Sequence, residues 1–171
     1  LTALQQRFVD RNRFALPRLT KITVSVGVGR GKENQKLVDT AIETLKVVTG
    51  QQPVATRAKK AIAGFKLREG DMVGLQVTLR GRRMWDFVNR LVLVTLPRLR
   101  DFHGLSRKSF DLQGNYSFGI REHTVFPEVQ EENVAVIHGL GIVLSTTATT
   151  RADGEALLEA LGLPLTRITE G

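Results

Sequence analysis

Apolar and polar positions alternate with a period of two in five stretches of the chain, as they do in strands that bury one face. The clearest stretch is residues 19–29, where aliphatic side chains occupy every second position. These apolar positions are Ile22, Val24, Val26 and Val28. The other four stretches are residues 51–57, 73–80, 115–121 and 139–148. We predict a strand in each of the five.

Between these strands the apolar residues recur with the 3.6-residue period of amphipathic helices. One helix is predicted over residues 34–50 and a second over residues 82–95, which Pro97 should end. A third helix follows Thr150, because Thr150 and Asp153 together resemble a capping box. The resulting order, β-α-β-β-α-β-β-α, mixes hairpins with helices. It predicts the α+β class, with a mainly antiparallel sheet and helices packed on one face.

The strands at residues 51–57 and 73–80 flank the most basic segment of the chain. The connection between them, residues 58–72, is too long for a tight turn, so we predict a hairpin with a long basic loop. The cations of this loop are Lys59, Lys60, Lys66 and Arg68, and it also contains Gly64 and Phe65. Long loops without secondary structure are uncommon in compact domains and are usually functional.

Length and composition set outer limits on the kind of protein. The chain has 171 residues, of which 42% are hydrophobic, which fits a single domain over residues 1–171. It starts at Leu1 and not at a methionine, so we expect the N-terminus to be incomplete. Residues 1–14 resemble the tail of an amphipathic helix. No run of about 18 apolar residues predicts a membrane span. Because cysteine is absent, disulfides and cysteine metal sites are excluded, and we expect a cytoplasmic protein.

Positive charge is concentrated in the middle of the chain. The formal net charge is +8 for the whole sequence, but it is +9 for residues 51–110 and −6 for residues 111–171. A solvated surface usually mixes its charges, so this segregation favours a polyanionic partner.

The strand positions opposite the apolar rows are small or polar. Such side chains let a rigid ligand approach the backbone and form hydrogen bonds. These positions are Thr23, Ser25, Gly27, Gly29, Thr56, Gly74, Gln76, Thr78 and Arg80. No pair of aromatic residues lines them, so structured RNA fits this face better than an unpaired strand does. The alternative is a threonine-rich face that contacts only solvent.

A nucleotide site in the glycine-rich segment 27–32 is not supported by its spacing. A phosphate-binding loop needs a glycine and a Ser or Thr where this chain has Val26 and Glu33. The dinucleotide-binding pattern needs glycine where Lys32 stands. The glycines therefore shape the end of a strand in our interpretation.

Histidines and carboxylates give no catalytic or metal-binding pattern either. The three histidines are His103, His123 and His138, which lack the spacing of metal ligands, and we interpret them as surface or loop residues. The acidic pair at residues 131–132 fits a solvated turn. We therefore predict no enzyme activity, no cofactor and no metal.

A series of motifs, in order from about Pro17 to Pro164, closely resembles the bacterial ribosomal protein L-five family. The motifs are Pro17-Arg-Leu, Gly27-Val-Gly, Thr49-Gly-Gln-Gln-Pro, the stretch from Thr56 to Gly70, Val77-Thr-Leu-Arg-Gly, the stretch from Leu96 to Leu105, Gly114-Asn-Tyr-Ser-Phe-Gly-Ile and Thr146-Thr-Ala. The resemblance implies a protein of the large ribosomal subunit that binds 5S rRNA in the central protuberance through its sheet face. It also implies contacts with P-site tRNA through the loop at residues 58–72, with 23S rRNA, and with the small-subunit protein S-thirteen.

Individual residues can be carried over from this family. Its sheet-face contacts to 5S rRNA correspond to Ser25, Gln51 and Thr78, and we add Gly27, Gln76 and Arg80 to the predicted 5S rRNA site. The predicted tRNA-contacting residues are Lys59, Lys60, Gly64, Phe65, Lys66 and Arg68. Two positions depart from the family pattern, because Ser25 replaces the usual asparagine and Gln113 replaces the usual arginine. Each departure weakens the contact carried over to that position.

Two other classes of protein remain open at the level of the sequence. A free-standing regulatory RNA-binding module would share the charge and the sheet, but it would act outside the ribosome. A nucleotide-binding enzyme would use residues 27–32 and would show measurable affinity for ATP or a dinucleotide. The sequence also leaves open whether the ribosome is cytoplasmic or organellar.

Overall fold

The computed structural model describes Leu4, Phe8 and residues 12–29, 35–100, 102–129 and 136–166. The strands are β1 (Leu19–Gly27), β2 (Val54–Arg57), β3 (Met72–Leu79), β4 (Tyr116–Ile120) and β5 (Leu140–Thr146). The helices are α1 (Gln35–Thr49), α2 (Gly81–Arg90), α3 (Leu96–Arg98) and α4 (Arg151–Ala160). Most of the helical tail predicted at residues 1–14 lies outside the described residues.

The five strands form one antiparallel sheet in the order β2-β3-β1-β5-β4. The α+β class predicted from the order of elements is therefore confirmed. The predicted hairpin is formed by β2 and β3, which pair with Val54 opposite Gln76 and Thr56 opposite Gly74. Because β3 lies between β2 and β1, the hairpin joins the sheet through β3 alone.

Helix α1 covers the apolar rows of the strands beside it and packs against β3. Its buried residues include Val38, Ala41, Leu45 and Val48, which recur with the predicted helical period. Leu75, Val77 and Leu79 of β3 are likewise buried. Gly50 follows the last turn with φ of 65°, a left-handed conformation that favours glycine, so the predicted helix end is confirmed. The opposite face of β3 is consequently left for other contacts.

Strand β2 differs from its prediction as a half-buried strand. Three of its four residues are exposed, and Val54 retains 68% of its accessible surface. The reason is its place at the edge of the sheet, where a bulge between Thr56 and Arg57 ends the regular pairing. The alternation of apolar and polar residues correctly indicated a strand, but it did not reveal how little of that strand is buried.

The predicted end of the second helix at Pro97 is wrong. After α2 the chain continues through a wider, π-helical turn at Leu91–Thr95 and then through α3, which contains Pro97. In this turn the N–H of Leu96 donates to the carbonyl of Leu91, five residues earlier. Such π turns accommodate an extra residue without breaking the helix. Pro97 follows this wider turn directly, at the start of α3.

Contacts group the chain into two compact units. One consists of Thr23–Leu79 and Gly119–Ile142, and the other of Leu1–Ile22, Arg80–Phe118 and Val143–Gly171. The single domain expected from the length of the chain stays a prediction. None of the helices among the described residues is long and apolar enough to cross a membrane.

Helix α4 is held by its N-cap and by a network of ion pairs. The predicted cap is confirmed, because the hydroxyl of Thr150 accepts a hydrogen bond from the N–H of Asp153. Arg107 contacts Glu155 at 2.9 Å and Glu159 at 2.5 Å, and its Nε donates to the carbonyl of Thr166 at 2.8 Å. The carboxylates of Glu159 and Glu155 outweigh partial burial and raise the pKa of Arg107. This arginine therefore connects α4 to the segment that follows it.

Candidate nucleic-acid interface

The predicted ligand-binding face lies on the side of β1 and β3 opposite their buried residues. Val24 and Val26 are buried, whereas Ser25 between them is half-buried and Gly27 is exposed. Strand β3 repeats the pattern, because Gln76 and Thr78 are half-buried between fully buried aliphatic neighbours. The structure thus places these predicted residues on neighbouring strands with part of each side chain accessible.

Gln51 and Thr78 meet although 27 residues separate them in sequence. The Nε2 of Gln51 donates to the backbone carbonyl of Thr78 at 3.3 Å. Thr49 supports this arrangement from the end of α1, since its hydroxyl donates to the carbonyl of Leu45 and accepts from the N–H of Gln51. Gln51 is therefore held across the end of β3 by its side chain and its backbone.

Hydrogen-bonding groups remain available next to this contact. Within the described part of the chain, the hydroxyl of Thr78 and the amide of Gln76 have no hydrogen-bond partner, and neither does the Oε1 of Gln51. All three side chains are only partly buried, so water satisfies these groups in the free protein. An incoming ligand could replace this water with donors and acceptors of its own.

Gly74 was predicted to admit a ligand to the sheet face, but the structure gives its lack of a side chain another role. It is buried, and a Cβ there would lie 2.9 Å from the hydroxyl oxygen of Thr56 and 3.0 Å from the carbonyl oxygen of Val26. The missing side chain therefore permits close packing within the sheet, not the approach of a ligand. Gly27 is different, because a Cβ there would meet no atom of the described residues within 4 Å.

Two neighbours of the face were missed by the sequence analysis. Val54 lies directly opposite Gln76 across the hairpin, so both side chains share one face. Gly141 of β5 borders Ser25, whose hydroxyl donates to its carbonyl at a long distance of 3.5 Å. Val54 and Thr56 are two residues apart in β2, so their side chains lie on the same face. This spacing could have identified Val54 from the sequence. Gly141 lies beside Ser25 because β5 is next to β1 in the sheet, and the sequence pattern does not reveal this strand order.

The loop at residues 58–72 contains backbone hydrogen bonds of its own. Ala58 and Gly70 close its base, where the N–H of Ala58 donates to Asp71 and the N–H of Gly70 donates to Ala58. Nearer the tip, Ile62 and Leu67 pair as an isolated antiparallel bridge around a 3-10 turn at Ala63–Phe65. The hairpin therefore continues beyond the sheet as a short backbone-paired extension.

Cations of the loop point into solvent. Lys59, Lys60, Lys66 and Arg68 are all exposed, as is Gly64, and Phe65 completes the 3-10 turn. None of these four cations forms an ion pair with another described residue. Asp71 instead accepts a hydrogen bond from the backbone N–H of Arg68 at 2.5 Å. The loop consequently presents a small ordered framework with unpaired positive charge.

Arg80 and Gln113 are exposed and belong to the unit that does not contain the sheet-face residues. Arg80 directly precedes α2. Gln113 lies in a turn in which Asp111 accepts from the N–H groups of Gln113 and Asn115. These bonds, led by one from the Asn115 side chain, lower the pKa of Asp111. The turn is thus stabilised by the Asp111 carboxylate.

Two of the three histidines interpreted as surface or loop residues are buried. His103 is exposed, but His123 and His138 are buried and stack with parallel rings whose centroids are 4.0 Å apart. The Nε2 of His138 lies 3.3 Å from the hydroxyl of Thr44 on α1. Burial and the neighbouring ring of His123 lower the pKa of His138 to about 4, and burial lowers that of His123. Both rings are therefore neutral at pH 7.

Metal ions have no evident ligand cluster in the parts of the chain that are described. No group of three or more histidine, aspartate and glutamate residues there could hold one. The stacked histidines present a ring face to each other instead of converging on a common point. The arrangement around β1 and β3 is instead chemically suited to hydrogen bonding with a polar, rigid ligand, and the loop is suited to contact with anions.

Known proteins resemble the chain over nearly its whole length. Residues 12–68 match the family described as "Ribosomal protein L5", and residues 72–165 match the C-terminus of the same ribosomal family. The "Large ribosomal subunit protein uL5" of Acaryochloris marina is 51% identical over 161 residues, covering 94% of this chain and 89% of the relative. The corresponding protein of Synechocystis sp. is 49% identical over 164 residues, with coverage of 96% and 91%.

Proposed function

The chain belongs to the ribosomal protein L5 family of the large ribosomal subunit, and from that premise we propose that it binds 5S rRNA in the central protuberance. The proposed docking surface is the exposed face of β1 and β3. Its residues are Ser25, Gly27, Gln51, Gln76 and Thr78, with Arg80 as a nearby cation in sequence. The role is that of a structural component of the subunit that supports translation.

The observation that carries this proposal is the contact between Gln51 and Thr78. It brings two residues assigned to RNA contact together at the end of β3, and it leaves the Thr78 hydroxyl and the Gln51 carbonyl oxygen without partners among the described residues. A hydroxyl and an amide oxygen can bond to ribose 2′-hydroxyls and base edges, and the 2′-hydroxyl distinguishes RNA from DNA. Gly27, where a Cβ would meet no described atom within 4 Å, would allow the RNA backbone to approach β1.

The loop at residues 58–72 supports a second part of the proposal, contact with P-site tRNA. Its four exposed cations are not engaged by described carboxylates, so they are available to phosphates. The backbone pairing at Ile62 and Leu67 holds the tip in a defined shape. An ordered tip loses less conformational entropy on binding than a flexible one would.

Contacts with 23S rRNA and with the small-subunit protein S-thirteen complete the proposal. They rest on family membership together with the exposure of the basic segment, and no described contact favours one surface for them. We accordingly assign no residues to either partner.

The direct test is binding of the purified protein to 5S rRNA, measured by gel shift beside a control RNA of equal length. We expect tight binding to 5S rRNA and much weaker binding to the control at the same salt concentration. Equal affinity for both RNAs would contradict the proposal. Sedimentation of a cell extract should find the protein with large subunits, whereas a regulatory module would be found mainly outside them.

A further inference from the structure

The outward face of α2 carries an aromatic side chain between two polar ones. Trp85 is the single tryptophan of the chain, and 42% of its surface is exposed. Arg82 lies three residues before it and Asn89 four residues after it, and both are exposed. Residues at these spacings are neighbours on one side of a helix. The three side chains therefore form a continuous strip, which we call the Trp85 strip.

Trp85 lies outside the buried face of α2. Met84, Phe87 and Val88 form the buried face of α2, and the exposed fraction of each is 3% or less. A large ring left half in water contributes less to folding than it would if buried. In the described part of the chain no aromatic ring pairs with the indole. One side of the indole is thus available to an external flat group.

Charge around the strip favours an anionic ligand. The side chain of Arg82 is 95% exposed, and its ion pair with Asp86 is long, at 3.9 Å between Nε and Oδ2. An exposed pair of this kind is weak, so it leaves the guanidinium free to exchange partners. Arg83 beside it is also exposed, and the first turn of α2 contains no acidic residue.

We propose that the Trp85 strip is a stacking site for an unpaired nucleotide of RNA. The base stacks on the exposed side of the indole, the Arg82 guanidinium contacts the adjacent phosphate, and the Asn89 amide bonds to the edge of the base. An aromatic ring next to a cation is the usual combination for binding unpaired bases. This site is separate from the sheet face and the basic loop, because neither contributes a residue to it.

Fluorescence of Trp85 gives a direct readout, since no other tryptophan contributes to the emission. The probe is an oligoadenylate of about six nucleotides. Two matched probes are the same oligonucleotide with abasic sites, which keeps the phosphates and removes the rings, and a duplex of equal length. Stacking should quench the emission with the oligoadenylate, whereas the abasic probe and the duplex should leave it nearly unchanged.

Variants of α2 assign the contributions of individual residues. Trp85→Leu should weaken binding of the labelled oligoadenylate about 5- to 150-fold, as the loss of one stacked base does. Arg82→Gln should reduce the slope of log affinity against log salt by about 0.7, as expected for one phosphate contact to a single strand. Leu112→Ala is the matched control, because Leu112 is 90% exposed and lies outside this helical segment. Leu93→Ala, four residues beyond Asn89 and 73% exposed, tests whether an apolar surface continues along the helix. Circular dichroism verifies that each variant is folded.

Several outcomes would overturn the proposal. Emission that does not respond to the oligoadenylate at low salt, or that responds equally to the abasic probe, would exclude stacking. If Leu93→Ala weakened binding as much as Trp85→Leu, the surface would be an extended apolar patch suited to a protein partner. Thr78→Val should leave the quenching unchanged, so failure of the proposed sheet-face function would not alter this result.

Discussion

At the scale of single residues, the hydroxyl of Thr78 offers the sharpest test of the sheet face. Thr78→Val keeps the shape and strand preference of the side chain but removes the hydroxyl. Because that hydroxyl has no partner among the described residues, folding should be little affected. Affinity for 5S rRNA should fall by about 1–3 kcal/mol if the hydroxyl is buried in the complex. Gel shift measures the loss.

The control for this substitution is Thr149→Val, because Thr149 is exposed and lies outside the predicted face. It should bind 5S rRNA as the wild-type protein does. Equal affinity of Thr78→Val and the wild type, with intact circular dichroism, would remove Thr78 from the site.

The stacked histidines make the stability of the fold dependent on pH. His138 has a pKa of about 4 in the folded state, against an ordinary value of 6.5, so the unfolded chain binds a proton more readily. The free energy of unfolding should therefore fall as the pH decreases from about 6.5 to 4, by up to about 3 kcal/mol from this residue.

Urea denaturation at a series of pH values measures this effect. Carboxylates also titrate in part of this range, so the decisive quantity is the difference between wild type and His138→Gln. Glutamine can still bond to Thr44 but cannot take up a proton, so the stability of this variant should depend less on pH. Parallel pH profiles for the two proteins would contradict the explanation.

At the scale of elements, the loop and the sheet should be separable by charge removal. Replacing Lys59, Lys60 and Lys66 by alanine removes three exposed cations that stabilise no described contact. Binding of P-site tRNA to reconstituted ribosomes should weaken, and its salt slope should decrease by about two to three units. Affinity for isolated 5S rRNA should change much less. Filter binding and gel shift on the same variant measure the two effects.

The control variant replaces three exposed lysines outside the loop by alanine, so it removes the same total charge. These lysines are Lys36, Lys46 and Lys108. It should bind P-site tRNA more tightly than the loop variant does. Should the loop variant lose 5S rRNA binding while it holds P-site tRNA normally, the loop is an rRNA anchor and this division of roles is wrong.

Helix α4 should depend strongly on Arg107. The side chains of Arg107, Glu155 and Glu159 are each less than a third exposed, so Arg107→Met leaves two carboxylates poorly solvated and unpaired with this cation. We expect a loss of about 1–3 kcal/mol in the free energy of unfolding, measured by urea denaturation. Arg82→Met breaks only the long, exposed pair with Asp86 and should cost less than about 1 kcal/mol. Equal losses for both variants would show that the network adds little.

At the scale of the whole molecule, the uneven charge predicts how RNA binding responds to salt. The excess of +9 over residues 51–110 should release counterions from RNA, so log affinity for 5S rRNA should fall linearly with log salt. Thr78→Val should lower the affinity at every salt concentration without changing the slope of log affinity against log salt. Arg80→Gln should reduce the slope by about one unit if Arg80 contacts a phosphate. Gel shifts at several salt concentrations distinguish the two, and a slope unaffected by Arg80→Gln would remove it from the site.

Local patterns of the sequence determined the fold class, the positions of the strands and the family. Alternation along residues 19–29 specified which side of β1 is buried, because side chains in a strand point to opposite faces in turn. The helix ends at Gly50 and Thr150 were also predictable from the sequence. The unpaired backbone groups at a helix end form hydrogen bonds with residues close in sequence. The resemblance to ribosomal proteins is confirmed by matches that extend from residue 12 to residue 165. The assigned contacts with RNA stay predictions.

Tertiary structure alone decided which residues far apart in sequence become neighbours. The exposure of β2 follows from its place at the sheet edge, and the small size of Gly74 follows from the proximity of Val26 and Thr56. The burial of His123 and His138 required the segments after β4 and before β5 to meet beside Thr44. Hydrophobic periodicity describes one element at a time, whereas strand order and side-chain packing depend on all elements together. That difference separates what the sequence by itself established from what required the folded molecule.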